Sequence, residues 1–185
     1  MTDRICLYDA EEIDLVLAAM ARQIVACYSG TPFAMVGILR RGDPLAGLLQ
    51  AHFRALTDAP EPPLYPLKVK RYADDLTLLH PETSLTGNDE LAALNLAELP
   101  LLVVDDVLYE GHSLLRTCAY LAQQGARRVH TAVLVDRCTS TQPVRADIVG
   151  IRLQAAPGDI VECHVPPYEA DLRIELIRHG QTAKH

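Results

Sequence analysis

Two adjacent carboxylates lie in the middle of the chain, within the stretch LLVVDDVLYEGHSLL at residues 101–115. Asp105 and Asp106 follow four apolar residues, so we expect a buried strand to deliver both acids to the edge of a sheet. Adjacent carboxylates that lose water need hydroxyl donors or a cation as partners. A ribose diol with Mg²⁺ nearby supplies both, so the pair predicts a site of that chemistry.

The turn that follows the aspartates is suited to a phosphate monoester. It leads into a predicted helix, and a helix N-terminus presents unpaired N–H groups and a partial positive charge. Gly111 allows close approach of the backbone, while Ser113 can cap the helix or donate its hydroxyl to a phosphate oxygen. The same spacing fits an ordinary strand-turn-helix in which Asp106 caps the helix, and the spacing alone leaves both interpretations open.

Polar residues also follow two other predicted strands, where ligands of parallel sheets bind. These residues are Arg40, Arg41, Gly42, Asp136 and Arg137. We favour Arg41 as a ligand residue over a surface arginine, because two arginines precede a glycine at the end of a strand. Asp136 and Arg137 fit a structural ion pair as well as a contact with a ligand.

The elements that position these residues alternate between strand and helix, a pattern typical of a parallel sheet. We predict an α/β fold with a central, mostly parallel sheet, helices on both faces, and a small hood of short strands. The periodicity predicts helices at 9–27, 44–56 and 113–124, strands at 33–39, 64–72, 101–104, 129–135, 148–153 and 160–165, an edge strand at 172–177, and an exposed loop at 80–89.

Composition favours a single domain over residues 1–185, with an aliphatic core and no membrane span. Apolar residues make up 49% of the chain, Trp is absent, and no apolar run reaches the roughly 18 residues that a span requires. The N-terminal segment is too acidic for a signal peptide, so we expect a cytoplasmic protein. The five scattered cysteines have no metal-ligand spacing, and we predict no metal site built by the protein alone.

The stretch 101–115 resembles the signature by which type I phosphoribosyltransferases bind 5-phosphoribosyl-1-pyrophosphate (PRPP). Residues 104–109, VDDVLY, are especially similar to the PyrR family, whose members are uracil phosphoribosyltransferases that in many cases also bind mRNA. Residues 36–42 resemble the pyrophosphate loop of that family, Tyr72 with residues 74–77 its flexible loop, and residues 134–150 the hood over the base. The resemblance extends from about residue 13 to 150, and more loosely beyond.

The resemblance implies transfer of phosphoribose from PRPP, bound with Mg²⁺, to uracil in pyrimidine salvage, giving UMP and pyrophosphate. Asp105, Asp106 and Arg41 would be catalytic, because the aspartates favour a positively charged ribose ring and Arg41 stabilises the departing pyrophosphate. The implied substrate-binding residues are Arg40, Gly42, Leu108, Tyr109, Glu110, Gly111, His112, Ser113, Asp136 and Arg137.

Beyond these residues, the resemblance implies three larger features. Residues 73–90 would close over the site and exclude water. A hood formed mainly by residues 136–170 would cover the nucleobase. Because related enzymes usually dimerise, we also expect a homodimer or a higher homo-oligomer.

Several residues depart from the family pattern, among them Leu39 and Arg40, which stand where PyrR proteins have Lys and Thr. Three others bear on PRPP binding. Glu110 stands where the family loop has a small residue, and a carboxylate about 4 Å from a phosphate would cost roughly 1 to 4 kcal/mol. His112 replaces an arginine of PyrR proteins, and Ala73 replaces an arginine expected to reach pyrophosphate. These substitutions predict weakened PRPP binding.

RNA binding is expected to be weak or lost, and two alternative functions stay open. The first helix and residues 138–142 lack the basic residues of PyrR proteins, and the net charge is -7. One alternative is a catalytically weakened, nucleotide-sensing PyrR paralogue that regulates pyrimidine metabolism. The other is a phosphoribosyltransferase for another base such as hypoxanthine, since the hood sets specificity.

Overall fold

A computed structural model of the chain describes residues 2–68, 88–156 and 158–179. Its strands are β1 (Thr2–Tyr8), β2 (Ala34–Leu39), β3 (Leu64–Lys68), β4 (Leu101–Leu108), β5 (Val129–Asp136), β6 (Ile148–Arg152), β7 (Ile160–His164) and β8 (Arg173–His179). Its helices are α1 (Ala10–Tyr28), α2 (Gly42–Leu56), α3 (Asp89–Ala92) and α4 (His112–Gln123). Ala73, Tyr72, residues 74–77 and most of the predicted loop 80–89 lie outside the described residues.

A five-stranded parallel sheet in the order β3-β2-β4-β5-β6 forms the centre of the fold. The predicted α/β class is therefore confirmed. The three long helices were predicted from periodicity, and their observed ends differ from the predicted ones by at most two residues. Among the helices in the described ranges, none has the length and apolar character that crossing a membrane requires.

The first helix shows why these predictions succeeded. Asp9 caps α1, accepting a hydrogen bond from the backbone of Glu12, whose side chain in turn accepts one from the backbone of Asp9. Apolar residues at helical spacing then form one buried face. The buried residues of this helix are Ile13, Leu17, Met20, Ala21, Ile24 and Tyr28.

Hydrophobic residues on both faces of the sheet form two separate clusters. Leu102 and Val104 of β4 pack with α1 and α2, whereas Leu101 and Val103 pack with α3 and α4. Because successive side chains of a strand point to opposite faces, a strand covered on both faces needs an uninterrupted apolar run. This requirement explains the sequence LLVV at the start of β4.

The strand β4 continues beyond its apolar residues, which corrects the predicted end at Val104. Pairing with β5 extends to Leu108 opposite Asp136, so both aspartates lie inside the strand. The apolar run marks only the part of β4 that lies between helices. The hydrogen-bonded ladder continues past that part and buries polar side chains at the carboxyl edge.

A second sheet of three antiparallel strands has the order β1-β8-β7. The prediction of an edge strand at 172–177 is wrong, because β8 pairs on both sides. The N-terminal strand β1 was not predicted, since its side chains are at most half-buried and alternate weakly. The sheet thus takes two strands from outside residues 136–170, while the division of residues 1–185 into a domain and a hood stays a prediction.

Gly150 in β6 provides a test of the packing between α1 and the central sheet. A Cβ at this position would lie 2.7 Å from the carbonyl oxygen of Leu134, 2.7 Å from Val16 and 2.8 Å from Met20. We expect Gly150→Ala to destabilise the protein by about 1–3 kcal/mol, as overpacking a close-packed core does. Urea unfolding followed by circular dichroism measures this change.

Gly47→Ala is the matched control. Gly47 lies inside α2, and a Cβ there would meet nothing within 4 Å. This substitution is expected to stabilise the protein by about 0.4–1 kcal/mol, since alanine restricts the unfolded chain. Equal effects of the two substitutions would contradict the packing described for Gly150.

Candidate active site

The two aspartates lie in the carboxyl half of the central strand β4, past its apolar run. Asp105 and Asp106 are only 3% and 8% exposed. The backbone N–H of Asp106 donates a hydrogen bond of 3.0 Å to Oδ1 of Asp105, which restrains that carboxylate. The strand therefore carries both acids toward the carboxyl edge of the sheet, as predicted, and it buries them there.

The turn between β4 and α4 ends in a helix N-terminus that has no side-chain cap. Gly111 is the N-cap residue, with a φ of 92°, and the cap makes no side-chain hydrogen bond. The interpretations in which Asp106 or Ser113 caps this helix are therefore wrong. Because the first N–H groups of a helix have no partner within it, this N-terminus suits an anionic ligand.

A cavity of about 210 Å³ lies against this turn. Arg116 also lines this cavity, and it was not among the site residues predicted from the sequence. It follows His112 by four positions in α4, and that spacing places two side chains on one face of a helix. The lining residues are Asp105, Val107, Leu108, Tyr109, Glu110, Gly111, His112, Ser113, Leu114, Arg116 and Val133.

The two unusual residues of the turn lie close to each other. Oε2 of Glu110 lies 3.4 Å from Nε2 of His112, and both side chains are about two-fifths exposed. The contact is an ion pair only when His112 is protonated. The carbonyl oxygen of Glu110 accepts hydrogen bonds from the backbone N–H groups of Thr141 and Gln142 and from the hydroxyl of Ser140.

Gly111 is required by a close approach between two segments of the protein. A Cβ on Gly111 would lie 2.6 Å from Oγ of Ser140 and 2.7 Å from Cγ1 of Val144. The sequence suggested approach to a phosphate as the reason for this glycine. In the structure, contact with residues 140–144 also demands it, so the turn and the segment after β5 are fixed together.

Asp136 and Arg137, at the end of β5, both have partners within the protein. Oδ1 of Asp136 accepts a hydrogen bond of 2.8 Å from the backbone of Cys138. The guanidinium of Arg137 lies over the ring of Tyr109, 4.4 Å from its centroid, and Arg137 is 4% exposed. The Nε of Arg137 makes no hydrogen bond with the described residues. A contact of either residue with a nucleobase stays a prediction.

The loop between β2 and α2 lies next to the aspartates. A Cβ on Gly42 would lie 2.4 Å from the carbonyl oxygen of Val104 and 3.1 Å from Cα of Asp105, so only glycine lets α2 begin there. Arg41 is the N-cap residue of α2, and the peptide bond between Leu39 and Arg40 is cis.

Both arginines of this loop contact the segment after β7. Nε and Nη2 of Arg41 donate hydrogen bonds to Oε1 of Glu169, and the guanidinium of Arg40 lies over the ring of Tyr168. The hydrogen bond to Glu169 is the main cause that raises the pKa of Arg41, and the charge of Asp106 adds to it. No sequence signal indicated these partners, because 128 residues separate Arg41 from Glu169.

Asp105 and Asp106 supply carboxylate oxygens, the ligand type that a Mg²⁺ ion arriving with a phosphorylated substrate would use. Magnesium prefers oxygen ligands and is often held by one or two carboxylates together with substrate phosphates. Within the described ranges, the one group of three potential ligands lies elsewhere, at Glu162, His164 and Glu175. Arg4 contacts both of those glutamates and Arg173 also contacts Glu175, so two arginines already balance the two carboxylates.

A parallel sheet with buried acids, a helix N-terminus without a side-chain cap and two adjacent arginines at its carboxyl edge is suited to an anionic, phosphorylated ligand. Comparison with known proteins agrees, because the phosphoribosyl transferase domain matches residues 6–171. The Bifunctional protein PyrR of Thermus aquaticus is 34% identical over 174 residues, covering 92% of this chain and 93% of that protein.

A second relative and a solved structure extend the comparison. The Bifunctional protein PyrR of Actinobacillus pleuropneumoniae serotype 5b is 30% identical over 174 residues, with 93% and 96% of the two chains covered. The hypoxanthine phosphoribosyltransferase of Trypanosoma cruzi has the same fold, with a TM-score of 0.73 at 16% identity over 95% of this chain and 97% of that chain. The chain therefore belongs to the phosphoribosyltransferase family and, within it, to the PyrR proteins.

Gly111→Ala tests the dependence of the turn on residues 140–144. We expect it to cost about 1–3 kcal/mol in backbone strain, because φ is positive, and to displace the turn through its collisions with Ser140 and Val144. Both the stability of the protein and its affinity for ribose 5-phosphate, measured by calorimetry, should therefore fall.

Gly125→Ala separates the two effects of that substitution. Gly125 also has a positive φ, of 96°, but a Cβ there would meet nothing within 4 Å. It should lower stability by strain alone and leave ribose 5-phosphate binding unchanged. Loss of binding in Gly125→Ala would show that general destabilisation, and not the displaced turn, accounts for the loss in Gly111→Ala.

Proposed function

We propose that the chain is a uracil phosphoribosyltransferase that converts uracil and PRPP into UMP and pyrophosphate. The observation that carries the proposal is the burial of Asp105 and Asp106 on the strand that leads into a helix N-terminus without a side-chain cap, where Asp105 lines the cavity. The choice of uracil rests on the similarity to PyrR proteins over nine-tenths of the chain.

In the proposed reaction, the bond between ribose C1 and pyrophosphate breaks as a bond to the uracil nitrogen forms, and that nitrogen releases its proton to the departing pyrophosphate or to water. Positive charge develops on the ribose ring, and the carboxylates of Asp105 and Asp106 stabilise it while accepting hydrogen bonds from the ribose hydroxyls. Bound Mg²⁺ would neutralise part of the pyrophosphate charge.

The remaining groups of the site bind and orient the substrate. The turn from Leu108 to Ser113 is proposed to hold the 5′-phosphate through backbone N–H groups at the start of α4. Arg41, with Arg40 and Gly42 in the same loop, is proposed to hold the pyrophosphate. Because both ends of PRPP are charged, fixing them aligns C1 with the nucleobase, which is the main contribution of positioning to the rate.

A second candidate function is a nucleotide sensor that has lost most of its catalytic activity. The position of Glu110 favours it, because this carboxylate lines the cavity that would hold the 5′-phosphate. Two features oppose it, since His112 lies beside Glu110 and Arg116 adds a cation to the same cavity. The enzyme and the sensor therefore differ in whether the two cations outweigh Glu110 and let the cavity bind the 5′-phosphate of PRPP.

Assembly and location form part of the proposal. We propose a homodimer or higher homo-oligomer in the cytoplasm, in keeping with an apolar side chain, Leu15, that is 71% exposed on α1. Another base such as hypoxanthine remains the alternative to uracil, because the hood would set the specificity and its contacts with a base are the part least readable from the sequence.

The decisive experiment measures pyrophosphate release from PRPP with Mg²⁺ and a panel of uracil, hypoxanthine, guanine and adenine. Release is expected with uracil alone. Asp105→Asn and Asp106→Asn should each lower kcat/KM on the order of 100-fold, the loss typical of removing one electrostatic group from an active site. Asp3→Asn, at an exposed position of β1, is the control and should retain full activity.

Other outcomes of the same assay have distinct meanings. Release with hypoxanthine and not with uracil would overturn the assignment of the base while retaining the reaction. If calorimetry showed that UMP binds while no base gave pyrophosphate release, the nucleotide sensor would replace the enzyme as the proposed function.

RNA binding is a separate prediction. With a net charge of -7, we expect at most weak binding of a pyrimidine-leader RNA, because affinity for RNA rests largely on phosphate contacts made by Lys and Arg. A filter-binding assay at low and high salt measures it. Tight binding that weakens steeply with salt would contradict the prediction.

A further inference from the structure

Two neighbouring residues hold the two arginines of the proposed pyrophosphate loop. The guanidinium carbon of Arg40 lies 5.0 Å from the ring centroid of Tyr168. Nε and Nη2 of Arg41 lie 3.1 and 2.5 Å from Oε1 of Glu169. Consecutive residues of one segment thus contact consecutive residues of the other.

The segment 165–169, called the 165–169 turn below, is itself anchored. The backbone N–H of Val165 donates a hydrogen bond of 2.9 Å to Oε2 of Glu169, so both carboxylate oxygens are engaged. The backbone N–H groups of Tyr168 and Glu169 donate to the carbonyl oxygen of Val165 at 3.2 and 3.4 Å. Val165 is fully buried in the main hydrophobic cluster, which ties the turn to the core.

We infer that Tyr168 and Glu169 are positioning residues, which hold Arg40 and Arg41 ready to receive the pyrophosphate group. This inference rests on the proposed function, in which that loop binds pyrophosphate. Long side chains lose rotamer freedom when a ligand immobilises them, so arginines that are already fixed bind at lower entropic cost.

The geometry of Arg41 allows it to bind Glu169 and a phosphate at once. Glu169 uses the edge formed by Nε and Nη2, and Nη1 makes no hydrogen bond with any of the described residues. A guanidinium has donors on more than one edge, and phosphate oxygens can occupy a second edge while a carboxylate occupies the first. The side chain of Arg41 is 32% exposed, so it remains accessible.

If Glu169 instead competed with pyrophosphate for Arg41, removal of Glu169 would change the pyrophosphate affinity in the opposite direction. Both groups stay charged near neutral pH, because their contact raises the pKa of Arg41 and lowers that of Glu169. Removing Glu169 would then free a cation and tighten binding of an anion. Under the positioning role, removal loosens Arg41 and weakens binding.

The first test is calorimetric titration of the full chain with inorganic pyrophosphate and Mg²⁺, without any nucleobase. We expect Glu169→Ala to weaken binding by about threefold to tenfold, the range that ordering one long side chain on binding represents. In the Arg41→Ala background, Glu169→Ala should have almost no further effect, because Glu169 acts through Arg41. This double-mutant cycle separates positioning from a general structural loss.

Tyr168 offers an independent test with a conservative counterpart. Tyr168→Ala removes the ring that holds Arg40 and should weaken pyrophosphate binding, whereas Tyr168→Phe keeps an aromatic face and should retain most of the affinity. Asp171→Ala removes a negative charge two residues beyond Glu169, and Asp171 pairs with Arg173 and not with the loop. This control should leave pyrophosphate affinity unchanged.

Three results would overturn the inference. The first is that Glu169→Ala binds pyrophosphate more tightly. The second is that Glu169→Ala lowers pyrophosphate affinity equally with and without Arg41. The third is that Tyr168→Ala and Tyr168→Phe lower it equally. If Glu169→Ala does not fold, as judged by circular dichroism, the two Tyr168 variants decide. Where turnover occurs, the KM for PRPP should rise while the KM for the base stays constant.

Failure of the inference is distinguishable from failure of the proposed function. Pyrophosphate binding is measured without a base, so it reports on the arginines whether or not uracil is the substrate. Wild-type protein that binds pyrophosphate but forms no UMP would overturn the function alone. Wild-type protein that forms UMP while the variants bind pyrophosphate normally would overturn the inference alone.

Discussion

The burial of two adjacent carboxylates in the carboxyl half of β4 is the constraint on which the rest of the structure depends. Asp105 and Asp106 are almost inaccessible to water, so their charge must be balanced by the protein and by its ligands. The backbone of Asp106 restrains Asp105, and Arg41 contributes positive charge near Asp106. The loop carrying Arg41 reaches this position because Gly42 lets α2 start against β4.

Tertiary contacts join the central sheet to the segments that lie over its carboxyl edge. On one side, the carbonyl oxygen of Glu110 accepts hydrogen bonds from residues 140–142, and Gly111 allows their close approach. On the other side, the 165–169 turn contacts Arg40 and Arg41. The two loops proposed to bind a phosphorylated substrate are thus each fixed by a different part of the chain beyond β5.

The limits of prediction from the sequence follow from particular residues. The apolar run before Asp105 predicted β4, but not its continuation to Leu108, because polar residues buried by strand pairing resemble the start of a loop. The alternation in residues 172–177 predicted a strand at the edge of a sheet. In the structure this strand lies in the middle, because β1 pairs with it, and the sequence does not show that pairing. Nothing in the sequence indicated Arg116, because one cation on a helix surface is common and the cavity that it lines exists only in the folded chain.

The sequence by itself determined the fold class, the family, and the placement of the two aspartates directly after the apolar run of a buried strand. Those properties depend on local periodicity and on a contiguous motif, both of which are readable along the chain. Only the tertiary structure decided that residues 140–142 donate hydrogen bonds to the carbonyl oxygen of Glu110 and that Glu169 holds Arg41. Such partners depend on how distant segments pack in space, and ion pairs between residues 128 positions apart leave no local pattern in a single sequence.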